Sequence, residues 1–251
     1  MEQSSTSTPL SGAVQDLASE LASALRSGGR FRLAAGVSEA DGAEANAGLT
    51  LAAVRVVGAD AVLPSVLRRA PAEADDLALF GRAVHVYQPA ADASPVSVWS
   101  HWAMKQTLRR LDAPPGGAPS GGGSFGGGAV PAAADSEAEP QAAWLADVPW
   151  QVLSHQLALL APLAVPDAEC AVADVARDRP VDLARGFVRA VRRRDWLQAA
   201  GAGRWLVLLD GVPATLGLEA GLEFVAHMGG DDPRVALQVE AARHLQAGAR
   251  P

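Results

Sequence analysis

One stretch divides this chain before any helix or strand is considered. Residues 113–143 read APPGGAPSGGGSFGGGAVPAAADSEAEPQAA, in which Phe125 is the one large apolar side chain. A segment so poor in apolar surface cannot offset the entropy lost on ordering, so it reads as a flexible linker. The remainder then divides into a disordered polar tail over 1–9, a mainly helical module over 10–112 and an all-helical module over 144–251. No internal repeat recurs at a fixed period.

Helical periodicity dominates both flanks. In the first, Leu10, Val14, Leu17, Leu21 and Leu25 line one face of a helix that Gly28-Gly29 ends. Ser94 and Pro95 open another over 95–111, with Val98, Trp102 and Leu108 as its apolar contacts. Residues 49–57 and 77–87 fit helical spacing, although their Val-rich ends would also suit strands. In the second flank the spacing predicts helices over 147–163, 167–177, 181–199, 213–228 and 233–247. Residues 204–210 read as a buried helix in preference to a central strand. The fold class expected is mainly α, as helical bundle or short helical-solenoid modules, with an α/β fold carrying a small sheet as the alternative.

Composition excludes several classes. A single cysteine, Cys170, rules out an internal disulfide framework and any multi-cysteine zinc site. With Lys105 the sole lysine and a net charge of −7, the surface as a whole does not suit nucleic acid. The preference for Ala and Arg matches a GC-rich bacterial coding sequence. The first ten residues lack the basic and apolar regions of a secretory signal. The longest uninterrupted apolar stretch, 157–165, falls far short of the roughly 20 residues that span a bilayer. No membrane span and a cytoplasmic location are the resulting expectations.

Several catalytic patterns occur literally but lack their context. Gly121, Gly123 and Gly126 spell a dinucleotide fingerprint, and Gly122, Ser124 and Gly126 a nucleophile elbow. Both chemistries need a strand before the motif and a helix after it, whereas these flanks are Gly, Pro and Ser. Residues 206–210 resemble a strand that ends in a magnesium-binding aspartate, but no phosphate loop accompanies them, so Asp210-Gly211 reads as a turn. Glu219, Glu223 and His227 repeat every four residues on one helical face and are the weak metal candidates. Leu218, Leu222 and Val225 claim the buried side of that helix, which turns the three polar residues towards solvent. Cys170 stands near a helix start but beside two acids that oppose a thiolate, so it reads as a buried, inert thiol. No cofactor and no catalytic residue are expected.

One charged feature rises above this background. Between Arg177 and Arg204 lie eight arginines and three aspartates, a local +5 that leaves −12 for the rest of the chain. On a helix beginning near Val181, Leu183, Phe187 and Ala190 face one way, while Arg185, Arg189 and Arg192 line the other. Such a stripe suits a solvated face, an acidic protein surface or, less well, nucleic acid. Among the six tryptophans, Trp99 and Trp102 read as core fillers, and Trp144 and Trp150 as the exposed pair beside the linker. The reading is therefore a non-enzymatic accessory protein that docks protein partners through Arg185, Arg189, Arg192, Trp144 and Trp150. An enzyme whose site is gathered from distant residues is the alternative, and nucleic-acid binding through 181–199 the third reading. The oligomeric state stays open.

Overall fold

The computed structural model describes residues 8–29, 31–36, 43–112 and 138–249, and it is mainly α-helical; among the described residues there is no strand. The helices are α1 (Pro9–Ser27), α2 (Ala43–Val57), α3 (Leu63–Arg68), α4 (Ala74–Val86), α5 (Pro95–Asp112), α6 (Ala143–Ala146), α7 (Trp150–Leu159), α8 (Ala171–Asp178), α9 (Pro180–Arg193), α10 (Trp196–Leu206), α11 (Leu218–Gly229) and α12 (Pro233–Ala249). Short 3₁₀ turns at Gly58–Val62, Ala161–Leu163 and Ala214–Leu216 join some of them. Residues 1–7 of the expected tail, and 113–137 of the expected linker with both glycine-rich motifs, lie outside the described residues.

Local signals set the helix ends. Thr8 Oγ1 accepts the Ser11 N–H at 3.3 Å to cap α1, Pro9 occupies its first turn, and Gly28 closes it at φ 68°. The 49–57 and 77–87 stretches are helical within α2 and α4, because one face of each is buried: Val54 in one, Phe80, Ala83 and Val84 in the other. The expected helix over 181–199 is two helices. Arg194 adopts the left-handed conformation at φ 59°, and its N–H and that of Asp195 bond back to the end of α9. Asp195 then caps α10 by accepting the Gln198 N–H at 3.2 Å. Pro162 similarly confines the 147–163 helix to α7 plus a 3₁₀ turn. Over 204–210 the helix ends at Leu206, and Gly211 turns the chain at φ 74°.

Helices from both sides of residues 113–137 share one core. Val54, Phe80, Trp99 and Met104 from the first flank join Leu153, Phe187 and Trp205 from the second in a single buried cluster. A smaller cluster sets Ala18, Leu21 and Leu25 of α1 against Leu237 and Ala241 of α12. This differs from two separately packed modules, because each flank leaves an apolar face that the other covers. The end of the expected linker takes part as well. Gln141 supplies the carbonyl that accepts the indole N–H of fully buried Trp99 at 3.2 Å, and Ala142 is buried.

α10 runs through the centre and is buried from Ala199 to Leu206. Its small residues permit this. A Cβ on Gly201 would stand 2.7 Å from the Ala158 carbonyl oxygen, so α7 and α10 approach to backbone contact there. α9 meets α7 in the same manner, since a Cβ on Gly186 would fall 2.0 Å from the Ser154 Cβ.

Arg204 crosses this interface. Its Nη1 donates to Asp60 Oδ1 at 2.8 Å and Oδ2 at 2.7 Å, and to Gln238 Oε1 at 2.9 Å. Its Nε donates to the Ala164 carbonyl at 3.1 Å, while Gln238 Nε2 donates to Asp60 Oδ2 at 2.8 Å. Arg204 is 0% and Asp60 1% exposed. Asp60 belongs to the run Ala47–Arg68, which by length and composition is apolar enough to cross a bilayer; 56% of its 18-residue window is buried inside the fold.

Two outcomes test this packing. Asp60→Asn leaves the Arg204 charge uncompensated and is expected to cost about 3–5 kcal/mol in denaturant unfolding, whereas the apolar pair Asp60→Leu/Arg204→Met loses far less. Gly186→Val is expected to destabilise by about 1–3 kcal/mol in the same measurement, since α7 must move to admit it.

Candidate functional site

The site is built from α9 upward. Pro180 starts this helix, and Leu183, Gly186, Phe187 and Ala190 bury one edge against α7 and α10. The opposite edge carries Val181, Arg185, Val188, Arg189 and Arg192, all exposed. This spacing of three and four residues sets two parallel rows on one helix face, one aliphatic and one cationic. The edge forms a wall of an open cleft of about 690 Å³, completed by Trp150 at the start of α7 and by Pro213 and Leu216 beside α11.

A second layer of interactions holds the cleft's shape. Asp182 accepts two bonds from Arg179, at 3.0 and 2.7 Å, and one from Arg185 at 3.2 Å. Arg179 also donates to the carbonyls of Ala146 and Val148, at 2.9 and 2.8 Å. The guanidinium thus fastens the chain that leads into α7 and sets where Trp150 begins. The Arg189 guanidinium lies over the Trp150 ring, 5.7 Å from its centroid, a cation–π contact that orients both side chains. Among the described residues, Arg192 and Arg193 form no ion pair, so their charges face the cleft uncompensated.

The residues expected from the sequence separate into distinct places. Arg185, Arg189, Arg192 and Trp150 come together on this cleft. Trp144 does not line it; the side chain packs half-buried against the core from α6, with its indole N–H enclosed and unbonded. Arg177 pairs with Asp174, and Arg204 is core, so the basic run is smaller at the surface than its count. Arg193, Val181, Val188, Pro213 and Leu216 are the contributors that sequence reasoning missed. Val181 and Val188, seven residues apart beside the arginines, were the signal for a mixed face; Pro213 and Leu216 arrive by tertiary packing alone.

Glu219, Glu223 and His227 stand exposed on one face of α11. Among the described residues, no group of three His, Cys, Asp or Glu side chains is placed to hold a metal ion. Cys170 is buried at the start of α8, and that burial pushes its thiol pKa up, with neighbouring Glu139 and Asp174 adding to the effect against the helix-start N–H groups. A smaller cavity of about 260 Å³ lies among α1, α2, α7, α10 and α12. Its polar lining is self-satisfied, with Asp60 held by Arg204 and Gln238, and His155 Nδ1 3.3 Å from Gln198 Oε1.

What the α9 cleft can do follows from its two rows. Apolar surface at Val181, Val188, Trp150 and Leu216 gains by leaving water, and the arginines add directional attraction for carboxylates or phosphates at the rim. No protein-family model, no curated protein and no solved structure matches this chain.

Arg179→Ala tests the support of the cleft. Loss of its charge-assisted bonds is expected to raise hydrogen–deuterium exchange in peptides covering 143–152, at a global cost of about 1–3 kcal/mol.

Proposed function

We propose that this chain is a non-enzymatic accessory protein whose α9 cleft docks an acidic, amphipathic segment of a protein partner. The observation that carries this reading is the pairing of Arg185, Arg189 and Arg192 with Val181, Val188 and Trp150 along one cleft. A helix or turn that offers Leu or Phe every three or four residues fits its apolar row, and Glu or Asp between them meets the cationic row. Aliphatic burial supplies affinity, while the charged rim sets partner choice and speeds encounter. Nucleic acid is a poorer fit. It presents no apolar side chain to the valines, and the chain's net −7 opposes a polyanion away from α9.

The test is titration of a fluorescein-labelled acidic amphipathic peptide, followed by anisotropy. The expected result is saturable binding that weakens as salt rises, is lost when the peptide's carboxylates become lysines, and falls at least roughly tenfold in Arg189→Glu/Arg192→Glu. Equal binding by this variant, with its fold intact by circular dichroism, overturns the reading. So does tighter retention of duplex DNA than of the peptide.

A further inference from the structure

The cavity among α1, α2, α7, α10 and α12 shares no lining residue with the α9 cleft. At about 260 Å³ it exceeds the roughly 150 Å³ apolar cavity that takes up a benzene ring. Its wall runs from the interior to the surface. Ala18 and Leu237 are buried, whereas Val56 and Leu159 are 58% and 50% exposed and mark the mouth. Apolar surface therefore continues from solvent into the fold, and the two mouth residues have no reason to stand in water unless something covers them.

The walls cannot close on one another. Ala158 lines the cavity from α7, and behind it α7 already meets α10 at backbone contact, as the 2.7 Å approach of a Cβ on Gly201 to the Ala158 carbonyl oxygen shows. Asp60 and Gln238 line it from the side of α2 and α12, and Arg204 ties both in place, at 2.7 and 2.8 Å to Asp60 and 2.9 Å to Gln238. The space is held open before any ligand arrives, so little ordering cost remains for binding.

The polar lining sets the ligand's charge. Asp60 is neutralised by Arg204. Arg234 donates to Asp232 at 3.0 and 2.6 Å, and Asp195 accepts the Gln198 N–H as the cap of α10. His155 Nδ1 lies 3.3 Å from Gln198 Oε1. A charged ligand would shed its water here and gain no dedicated counter-charge, while an uncharged apolar one loses nothing and gains the contacts of Val14, Val57, Leu197 and Leu237. We propose that this cavity binds a small uncharged apolar molecule, a single-ring aromatic or a short branched aliphatic, which enters past Val56 and Leu159. The site is independent of docking at the α9 cleft.

The experiment titrates p-cresol, uncharged at neutral pH, into the full chain and follows methyl NMR signals. Saturable shifts are expected at Val14, Leu159 and Leu237, with a dissociation constant below about 1 mM. Benzoate and benzylamine, of similar size but charged, are expected to bind at least roughly tenfold more weakly at these methyls. Ala158→Phe, which fills the space, is expected to weaken p-cresol binding by at least about tenfold, and Leu159→Lys at the exposed mouth by at least about threefold. Arg189→Glu/Arg192→Glu leaves it unchanged, which separates this site from the α9 cleft. Absence of saturation up to about 10 mM overturns the proposal. So does equal binding of either charged probe, or undiminished binding by an Ala158→Phe chain whose helices are intact by circular dichroism. If that variant unfolds, Leu159→Lys decides, and undiminished binding there is equally fatal.

Discussion

The fold turns on one buried ion pair. Arg204 and Asp60 lie 144 residues apart in the chain and meet where the 3₁₀ turn after α2 touches α10. Taking both charges out of water is costly, and their mutual attraction alone need not offset it. The difference comes from partners. Gln238 bonds both members of the pair, and the Ala164 carbonyl takes the Arg204 Nε, so α12 and the turn after α7 are recruited as well. An ion pair with this geometry tolerates no slip of one flank against the other, because any shift would leave a charge buried and alone. Its contribution is therefore register more than stability. Apolar faces bring the flanks together, and the pair selects one way for them to meet.

This explains which parts of the molecule were legible in the sequence. Helices were, since an apolar residue every three or four positions with a cap or proline at the start has few other readings. The fully buried last two turns of α10 were not. An arginine in a run of eight looks like surface, and a single chain offers no sign that Arg204 finds its carboxylate so far away. Composition registered the charge of Arg204 without its burial. The same limit hid the contact between α1 and α12, whose apolar faces are each complete as sequence patterns but carry no label of what covers them.

The cleft was half legible. Arg185, Arg189 and Arg192 share a face by spacing alone, and that face survives in three dimensions. Trp150 was singled out for its nearness to the glycine-rich tract, but what places it beside Arg189 is different. Arg179, read as one more charge in the run, ties the carbonyls of Ala146 and Val148 and thereby fixes the start of α7. Trp144, six residues earlier, obeyed core packing instead. Its ring lies against the main cluster although its N–H finds no acceptor, which marks it as filler whose shape matters more than its polar atom.

The surface chemistry follows from how thin the core is. Aromatic residues are 5% of the chain, and α10 brings Ala and Gly to the centre where larger side chains would force its neighbours apart. Helices that approach so closely have narrow buried edges. Apolar residues just beyond such an edge remain in water: Val181 and Val188 on α9, Phe224 and Met228 on α11. On a broader helix pair these positions would be core. They are exposed because glycine contacts at Gly186, Gly203 and Gly229 pull the helices inward beneath them. Close packing and apolar exposure are thus two consequences of one choice of small residues. Association, whether with another protein or another copy, is the remaining way for these side chains to leave water.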